Sequence, residues 1–469
     1  MHRGFSAPYI VRSTLPPLDR RLLPVLLLAC GAACASPPSR ASEAPLAPSE
    51  PGQRGAAQEA AAQEVERTAP PPTDGFAYTL AELLELADLR SPAVAAARSR
   101  REAASGRRLQ AGLWPNPRLE FEAEEIPARG SSLGEAKTTL GIEQDFPLGG
   151  RRHAAVAVGE AEERVETWVV EGGRRELRGQ ICQAWFEIQY LRRAVAELDE
   201  AVAAATAIEE LARHRFDARA VPESELLRAG IELEELRLER AALGAGLDPL
   251  VQGLSARLGD LELEPGRVGT GPLAELPELN RTLLDAALLD AHPALAAASE
   301  RQRAADLRLE LAGAERWPDL GVHLAYGRVG ATDESIWELG FSVPLPVWDR
   351  NQGRLHERRA LVANSRHRAA ELRGRLRAEL ATESADYQAS RDAASRYQRN
   401  LVPAAERSAA QTAARYQAGE SSLLELLDSQ RALTRARLGL VESRRRAELA
   451  LVRLWTLAAP AVSLPGVER

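Results

Sequence analysis

The chain has 469 residues, 45% of them hydrophobic but only 4% aromatic, so Ala and Leu supply most of its apolar surface. That composition suits long Ala/Leu/Glu/Arg helices and argues against a compact enzyme core. A formal charge of −7, three cysteines and regularly spaced apolar residues exclude a broad basic nucleic-acid face, a disulfide framework and disorder throughout.

At the N-terminus Arg12, Arg20 and Arg21 precede a short apolar run from Leu22 to Ala29, and Cys30 and Cys34 follow. Basic, then apolar, then small is the order of a secretory signal peptide, here residues 1–29. The run is too short to cross a bilayer, which takes roughly 20 residues. Leu27-Leu28-Ala29-Cys30 is similar to a bacterial lipobox, making Cys30 the expected lipid attachment site and Cys34 the alternative. A plain cleaved signal with incidental cysteines competes with that reading. Residues 30–75 are mostly Ala, Pro, Ser, Glu and Gln, with almost nothing to bury, and read as a flexible tether.

The remainder is written twice. Leu113-Trp114-Pro115 recurs as Arg316-Trp317-Pro318, Ser91-Pro92-Ala93 as His292-Pro293-Ala294, and Arg215-Phe216-Asp217-Ala218 as Arg415-Tyr416-Gln417-Ala418. Every pair is displaced by roughly 200 residues in the same order, the mark of a duplication. The expected units are 76–260 and 281–458, joined by a Pro/Gly-rich connector at 261–280 and followed by a tail at 459–469.

Each unit reads helix, strand, strand, long helix, turn, helix. In the first, Leu80 to Leu113 is helical up to Trp-Pro-Asn-Pro, strands follow at Arg118–Ile126 and Thr138–Phe146, and a helix runs from Arg151 to about Phe216. Ile181, Ala184, Ile188, Leu191, Val195, Leu198, Val202 and Ala205 give that helix a coiled-coil seam. After Val221-Pro222 the seam resumes from Leu226 to Leu254. In the second, the helix Leu283–Ala314 leads to strands Leu320–Arg328 and Ile336–Leu345. One long helix then spans Gly353 to Tyr416, and a last helix Leu423–Leu454 follows the turn at Gly419. Helices of some 65 residues extend about 100 Å.

The strands alternate. Phe121, Leu140, Leu324 and Phe341 lie on apolar faces, while Glu120, Glu122, Glu143 and Glu338 lie on polar ones. Strands of about nine to eleven residues, lipid-facing on one side and lumen-facing on the other, fit a membrane β-barrel. A half-buried soluble sheet has the same alternation, but here it would have open edges and no covering layer. Trp114, Trp317 and Trp348 fall at helix–strand junctions, where an aromatic girdle meets the membrane interface. Four strands cannot close a barrel, so several copies must contribute. The lumen face carries acids with little basic compensation and is expected to favour cations. The scattered histidines show no metal-ligand spacing, no nucleophile–base pair is present, and neither an enzyme nor a cofactor is expected.

The most specific segments are His292-Pro293-Ala294-Leu295, the run from Val343-Pro344-Leu345-Pro346 through Trp348-Asp349-Arg350-Asn351-Gln352-Gly353, and Tyr416-Gln417-Ala418-Gly419 through Asp428. In these the chain resembles the TolC-type outer-membrane efflux protein family over Tyr78–Leu457, and most of all its heavy-metal (CzcC-like) branch. The resemblance implies a mainly helical fold with membrane β-structure. It implies a homotrimer whose α-helical barrel is continuous with a 12-stranded β-barrel, four strands per chain. It implies a passive exit duct in the outer membrane that works with a periplasmic adaptor and an inner-membrane RND-type pump. Type I protein secretion and a non-channel coiled-coil adaptor lipoprotein are the alternatives. Glu425 and Asp428 match the carboxylates that line the family's closed periplasmic aperture, and Tyr416 matches a latch position whose usual basic partner is here Ser421. At the first tip Arg219 stands where the second has Gly419, which leaves the equivalence of the two turns open.

Overall fold

The computed structural model describes residues 77–124, 136–270, 276–330, 332–459, 461–462 and 464. The signal, Cys30, Cys34, the tether, Glu125 and Ile126 and most of the tail lie outside the described residues. The elements are α1 (Leu80–Arg90), α2 (Pro92–Gly112), β1 (Arg118–Glu124), β2 (Lys137–Phe146), α3 (Arg151–Asp217), α4 (Glu223–Gly244) and α5 (Leu247–Arg257). The same order then repeats as α6 (Arg281–Ala291), α7 (Pro293–Ala314), β3 (Leu320–Val329), β4 (Glu334–Ser342), α8 (Gln352–Arg396), α9 (Val402–Ala418) and α10 (Leu423–Ala458).

Four helices expected to be continuous are broken, three of them at a proline. Proline disfavours a helical conformation in the residue before it. Ser91 (ψ 122°) therefore ends α1 and His292 (ψ 118°) ends α6, with Pro92 and Pro293 opening the next helices. His292 also caps α7, its Nδ1 accepting the Ala294 N–H at 3.1 Å. That role requires a neutral ring, and burial, with Arg175 nearby, pushes the His292 pKa down to about 4. The long helix of the second unit is interrupted by a π-turn at Tyr397–Leu401. Pro403 cannot donate within a helix and its ring clashes with the carbonyl four residues back; a wider turn relieves both problems. Gly439 on α10 makes room there, since a Cβ would sit 2.6 Å from the Tyr397 ring. A fourth break, at Ala245-Gly246, separates α4 from α5.

The first half of α3 packs between α2 and α7, and the second half against α4 and α10. At Gly179 a Cβ would lie 2.4 Å from Thr456 Cγ2, so glycine sets the close approach of α3 and α10. The main core gathers where α1, α5 and α6 pack around Ile181–Tyr190 of α3, Leu376–Tyr387 of α8 and Ala447–Ala458 of α10. The connector is part of it. Val268 is buried and bridges Tyr78, Gln189 donates to the Gly269 carbonyl at 2.6 Å, and Tyr387 Oη donates to the Pro277 carbonyl at 2.6 Å. Cys182 is a packed thiol that burial pushes up to about 12.

One core group is unfavourable at neutral pH. Glu448 is 4% exposed, with Tyr190, Arg193 and Arg444 as its polar neighbours. Burial raises its pKa above the ordinary carboxylate value, with Tyr190, Arg444 and Arg193 offsetting only part of that. The unfolded chain releases this proton at lower pH, so stability falls as pH climbs from the ordinary glutamate value through the raised one. Glu448→Gln should flatten that loss and stabilise the protein by about 1 kcal/mol at neutral pH. Thermal unfolding at mildly acidic and neutral pH reads it; an unchanged pH slope would mean that Glu448 is not the group responsible.

Candidate functional site

All four strands form one antiparallel sheet in the order β1-β2-β3-β4. The two hairpins join through β2 and β3, leaving β1 and β4 as free edges. Register aligns Phe121 with Leu140, Leu140 with Tyr326 and Tyr326 with Trp337; one row nearer the helices it aligns Leu119, Ile142, Leu324 and Leu339. Every one of these side chains is exposed. An apolar face this continuous, with nothing packed on it among the described residues, has the character of a surface that meets lipid.

Trp114, Trp317 and Trp348 are all exposed at the helix end of the sheet. Trp114 meets Phe146 edge-on at 6.0 Å and carries the Arg152 guanidinium 4.7 Å over its ring. A second aromatic level went unread in the sequence: Tyr326 and Trp337 pack at 4.9 Å towards the far end. Nine residues separate Trp317 from Tyr326, about 30 Å along a strand and roughly 23 Å of height at a barrel's usual tilt, close to the ~25 Å apolar band of such barrels.

The opposite face carries Glu120, Glu122, Glu143 and Glu338, as the alternation required. Its basic compensation is larger than expected. Lys137 reaches Glu338 at 2.6 Å and Glu124 at 2.9 Å, and Arg118 bridges Glu143 and Asp145 at 3.1 Å each. His323 Nε2 lies 3.8 Å from Glu120. Glu122 is exposed and has no ion-pair partner among the described residues. Carboxylates still outnumber cations on this face, so its field remains attractive to positive charge. Among the described residues no group of three or more His, Cys, Asp or Glu side chains could hold a metal ion, and no helix is long and apolar enough to cross a membrane.

At the other end of the long helices the two tip turns are alike. Ala220 N–H donates to the Arg215 carbonyl and Glu420 N–H to the Arg415 carbonyl, both at 2.8 Å. Arg219 (φ 58°) adopts the left-handed conformation that Gly419 (φ 80°) takes freely, at a cost of about 1 kcal/mol. Tyr416 is buried among Ile208, Ala212, Leu423, Leu426 and Leu427. A basic group from the other unit meets it. Arg215 lies 4.5 Å over the Tyr416 ring and donates to its carbonyl at 3.0 Å. Glu425 and Asp428 are both exposed on the first turns of α10, where Ser422 caps the Glu425 N–H at 3.3 Å. Asp428 has only a 3.9 Å approach from Arg431, which instead grips the buried Glu232 of α4.

The outer membrane efflux protein family model matches residues 83–259 and 284–459. The chain belongs to that family. It is an outer-membrane efflux channel protein, and the duplicated halves are two copies of the family's unit. Among curated relatives it is 27% identical to the cobalt-zinc-cadmium resistance protein CzcC of Cupriavidus metallidurans over 369 residues, 77% of this chain and 85% of that one. It is 29% identical to the nickel and cobalt resistance protein CnrC of the same organism, over 65% of this chain and 71% of that one. The fold is similar to that of CusC (TM-score 0.70, 17% identity, 81% of this chain and 91% of that one). It is also similar to VceC of Vibrio cholerae (TM-score 0.67, 20% identity, 81% and 96%).

Proposed function

We propose that this channel is the exit duct of a tripartite pump for divalent heavy-metal cations, fed by a periplasmic adaptor and an inner-membrane RND-type pump. The observation that carries the cargo is the resistance spectrum in the names of its relatives, cobalt, zinc, cadmium and nickel. The acid-rich inner face of the sheet is compatible with it. Deleting the gene should lower growth on those metals and leave drug tolerance and protein secretion unchanged. Sensitivity confined to drugs, or a loss of secreted protein, would replace this cargo with another.

The working unit is a homotrimer with a 12-stranded barrel. Two free sheet edges support it, and so does α4. Ala229 and Leu233 of α4 are buried, while Leu227, Ile231 and Leu238, half a turn away, form a second apolar stripe that is exposed. A helix with two opposed apolar stripes fits between two partners, and only one is supplied within the chain.

Cys30, or failing that Cys34, carries a lipid, and residues 30–75 tether it to the channel. Cys30→Ser should abolish labelling by a fatty-acid probe; retained labelling would move the anchor to Cys34. Glu425 and Asp428 line the periplasmic gate, with Tyr416 latching it through Arg215. Three copies would bring six carboxylates to one constriction. The double substitution Glu425→Ala with Asp428→Ala should weaken cation selectivity and block by multivalent cations in single-channel recordings. Unchanged selectivity would leave both as solvated side chains on a helix face.

A further inference from the structure

The run from Pro344 to Gly353 is among the most specific stretches of the sequence, and conduction gives it no role. Its polar side chains are occupied in folding it. Asp349 Oδ1 accepts the Asn351 N–H at 2.9 Å, Gln352 Oε1 accepts the Arg350 N–H at 2.8 Å, and Gln352 Nε2 donates to the Trp348 carbonyl at 3.1 Å. Asn351, in the left-handed region at φ 58°, donates from Nδ2 to the Ala312 carbonyl at 2.8 Å and to Glu315 at 3.2 Å, which pins the loop to the end of α7. What the loop then presents is Leu345 (78% exposed), Trp348 (88% exposed) and Arg350.

Arg316, at the end of α7, completes an open cleft of about 580 Å³ with Val347, Trp348, Arg350, Gln352 and Leu355. Among the described residues neither the Arg316 nor the Arg350 guanidinium has a carboxylate partner. Val343 and Leu345 carry the exposed apolar surface on from Phe341, so the cleft opens where the lipid-facing side of the sheet ends.

Two unpaired guanidiniums beside an indole and aliphatic side chains, at that level, match one chemistry. Arginine forks hold a phosphate, tryptophan settles at the headgroup boundary, and an exposed leucine such as Leu345 suits the first methylenes of an acyl chain. We propose that this cleft binds the headgroup phosphate of an anionic glycerophospholipid in the periplasm-facing leaflet, with Arg316 and Arg350 as its ligands and Trp348 beside it. The proposal rests on the reading of the apolar sheet face as lipid-facing.

The full-length protein in phosphatidylcholine vesicles tests it, with bromine on the acyl chains of either phosphatidylcholine or a small added fraction of phosphatidylglycerol. The Trp348 contribution to fluorescence is isolated by comparison with Trp348→Phe. Brominated phosphatidylglycerol should quench it beyond its share of the bilayer. That preference should fall about fivefold for each arginine replaced by Gln and roughly thirtyfold for Arg316→Gln with Arg350→Gln. Inorganic phosphate at constant ionic strength should leave it unchanged; competition by phosphate would make this a small-anion site and overturn the headgroup assignment. Equal quenching by both lipids overturns it too. If Trp348 is shielded from both lipids while Trp337, read through Trp337→Phe, is quenched, the cleft is covered by a second copy of the chain and the proposal fails alone. If Trp337 is also unquenched, the lipid-facing sheet fails with it.

Discussion

Phe341→Arg is expected to abolish assembly in the outer membrane, whereas Glu338→Arg, three residues away on the other face, is expected to leave it intact. Phe341 is 68% exposed and opposes Val322, which lies five residues from Trp317 and four from Tyr326, in the row midway between the two aromatic levels. An arginine at that depth costs roughly 2–4 kcal/mol in a membrane barrel, and each copy in the trimer would bear it. Leu339→Arg, one row nearer the level of Tyr326 and Trp337, should be milder because the cost falls towards the interface. Glu338 points the other way, beside Lys137. Its replacement removes one ion pair and leaves Lys137 with Glu124, so the pore should insert normally and lose cation preference. Outer-membrane fractionation with heat-resistant oligomers on gels reads the first effect, and reversal potentials in planar bilayers read the second. Equal tolerance, or equal loss, would mean that the two faces do not separate lipid from water.

That contrast was legible in the sequence because a strand has a period of two, and a face once fixed by Leu and Phe fixes the other. The same local logic explains what was misread. Ser91-Pro92 and His292-Pro293 served as markers of duplication, and their effect on the preceding residue was the signal for the breaks between α1 and α2 and between α6 and α7. Pro403, inside the helix expected from Gly353 to Tyr416, was the unread signal for the π-turn. Contacts across the duplication are another matter. Arg215 meets Tyr416 from 201 residues away, and no spacing rule brings the two together. The only hint was their equivalent placement in the repeated Arg-Phe-Asp-Ala and Arg-Tyr-Gln-Ala segments, each just before a tip turn. Lys137 offered a better hint, as the only lysine, set on the polar face of a strand full of carboxylates. Its ability to neutralise Glu338 on β4 depends on strand order and register, which alternation within one strand does not reveal.

The same limit hid the pair expected to matter most at the tip. Glu232 of α4 is 6% exposed, and Arg431 of α10 donates to its Oε2 from Nε at 2.7 Å and again from its terminal nitrogen. The pair ties the hairpin of α3 and α4 to that of α9 and α10, next to a cavity of about 220 Å³ also lined by Glu235, Glu239 and Arg435. Arg431→Met strands a buried carboxylate. Fully buried pairs broken this way lose about 3–5 kcal/mol. The Arg431 side chain is 44% exposed, however, so water can reach the site and a loss of about 1–3 kcal/mol is expected. Replacing both, Glu232→Met with Arg431→Met, should recover most of it, because the apolar pair leaves no charge to solvate. Since Asp428 touches Arg431 only at 3.9 Å, neither variant should erase the selectivity assigned to Glu425 and Asp428. Thermal unfolding gives the stability, and limited proteolysis near Arg219 reports loosening of the tip. A single variant as stable as the parent, or a double variant as damaged as the single, would show that the pair does not hold the two hairpins together.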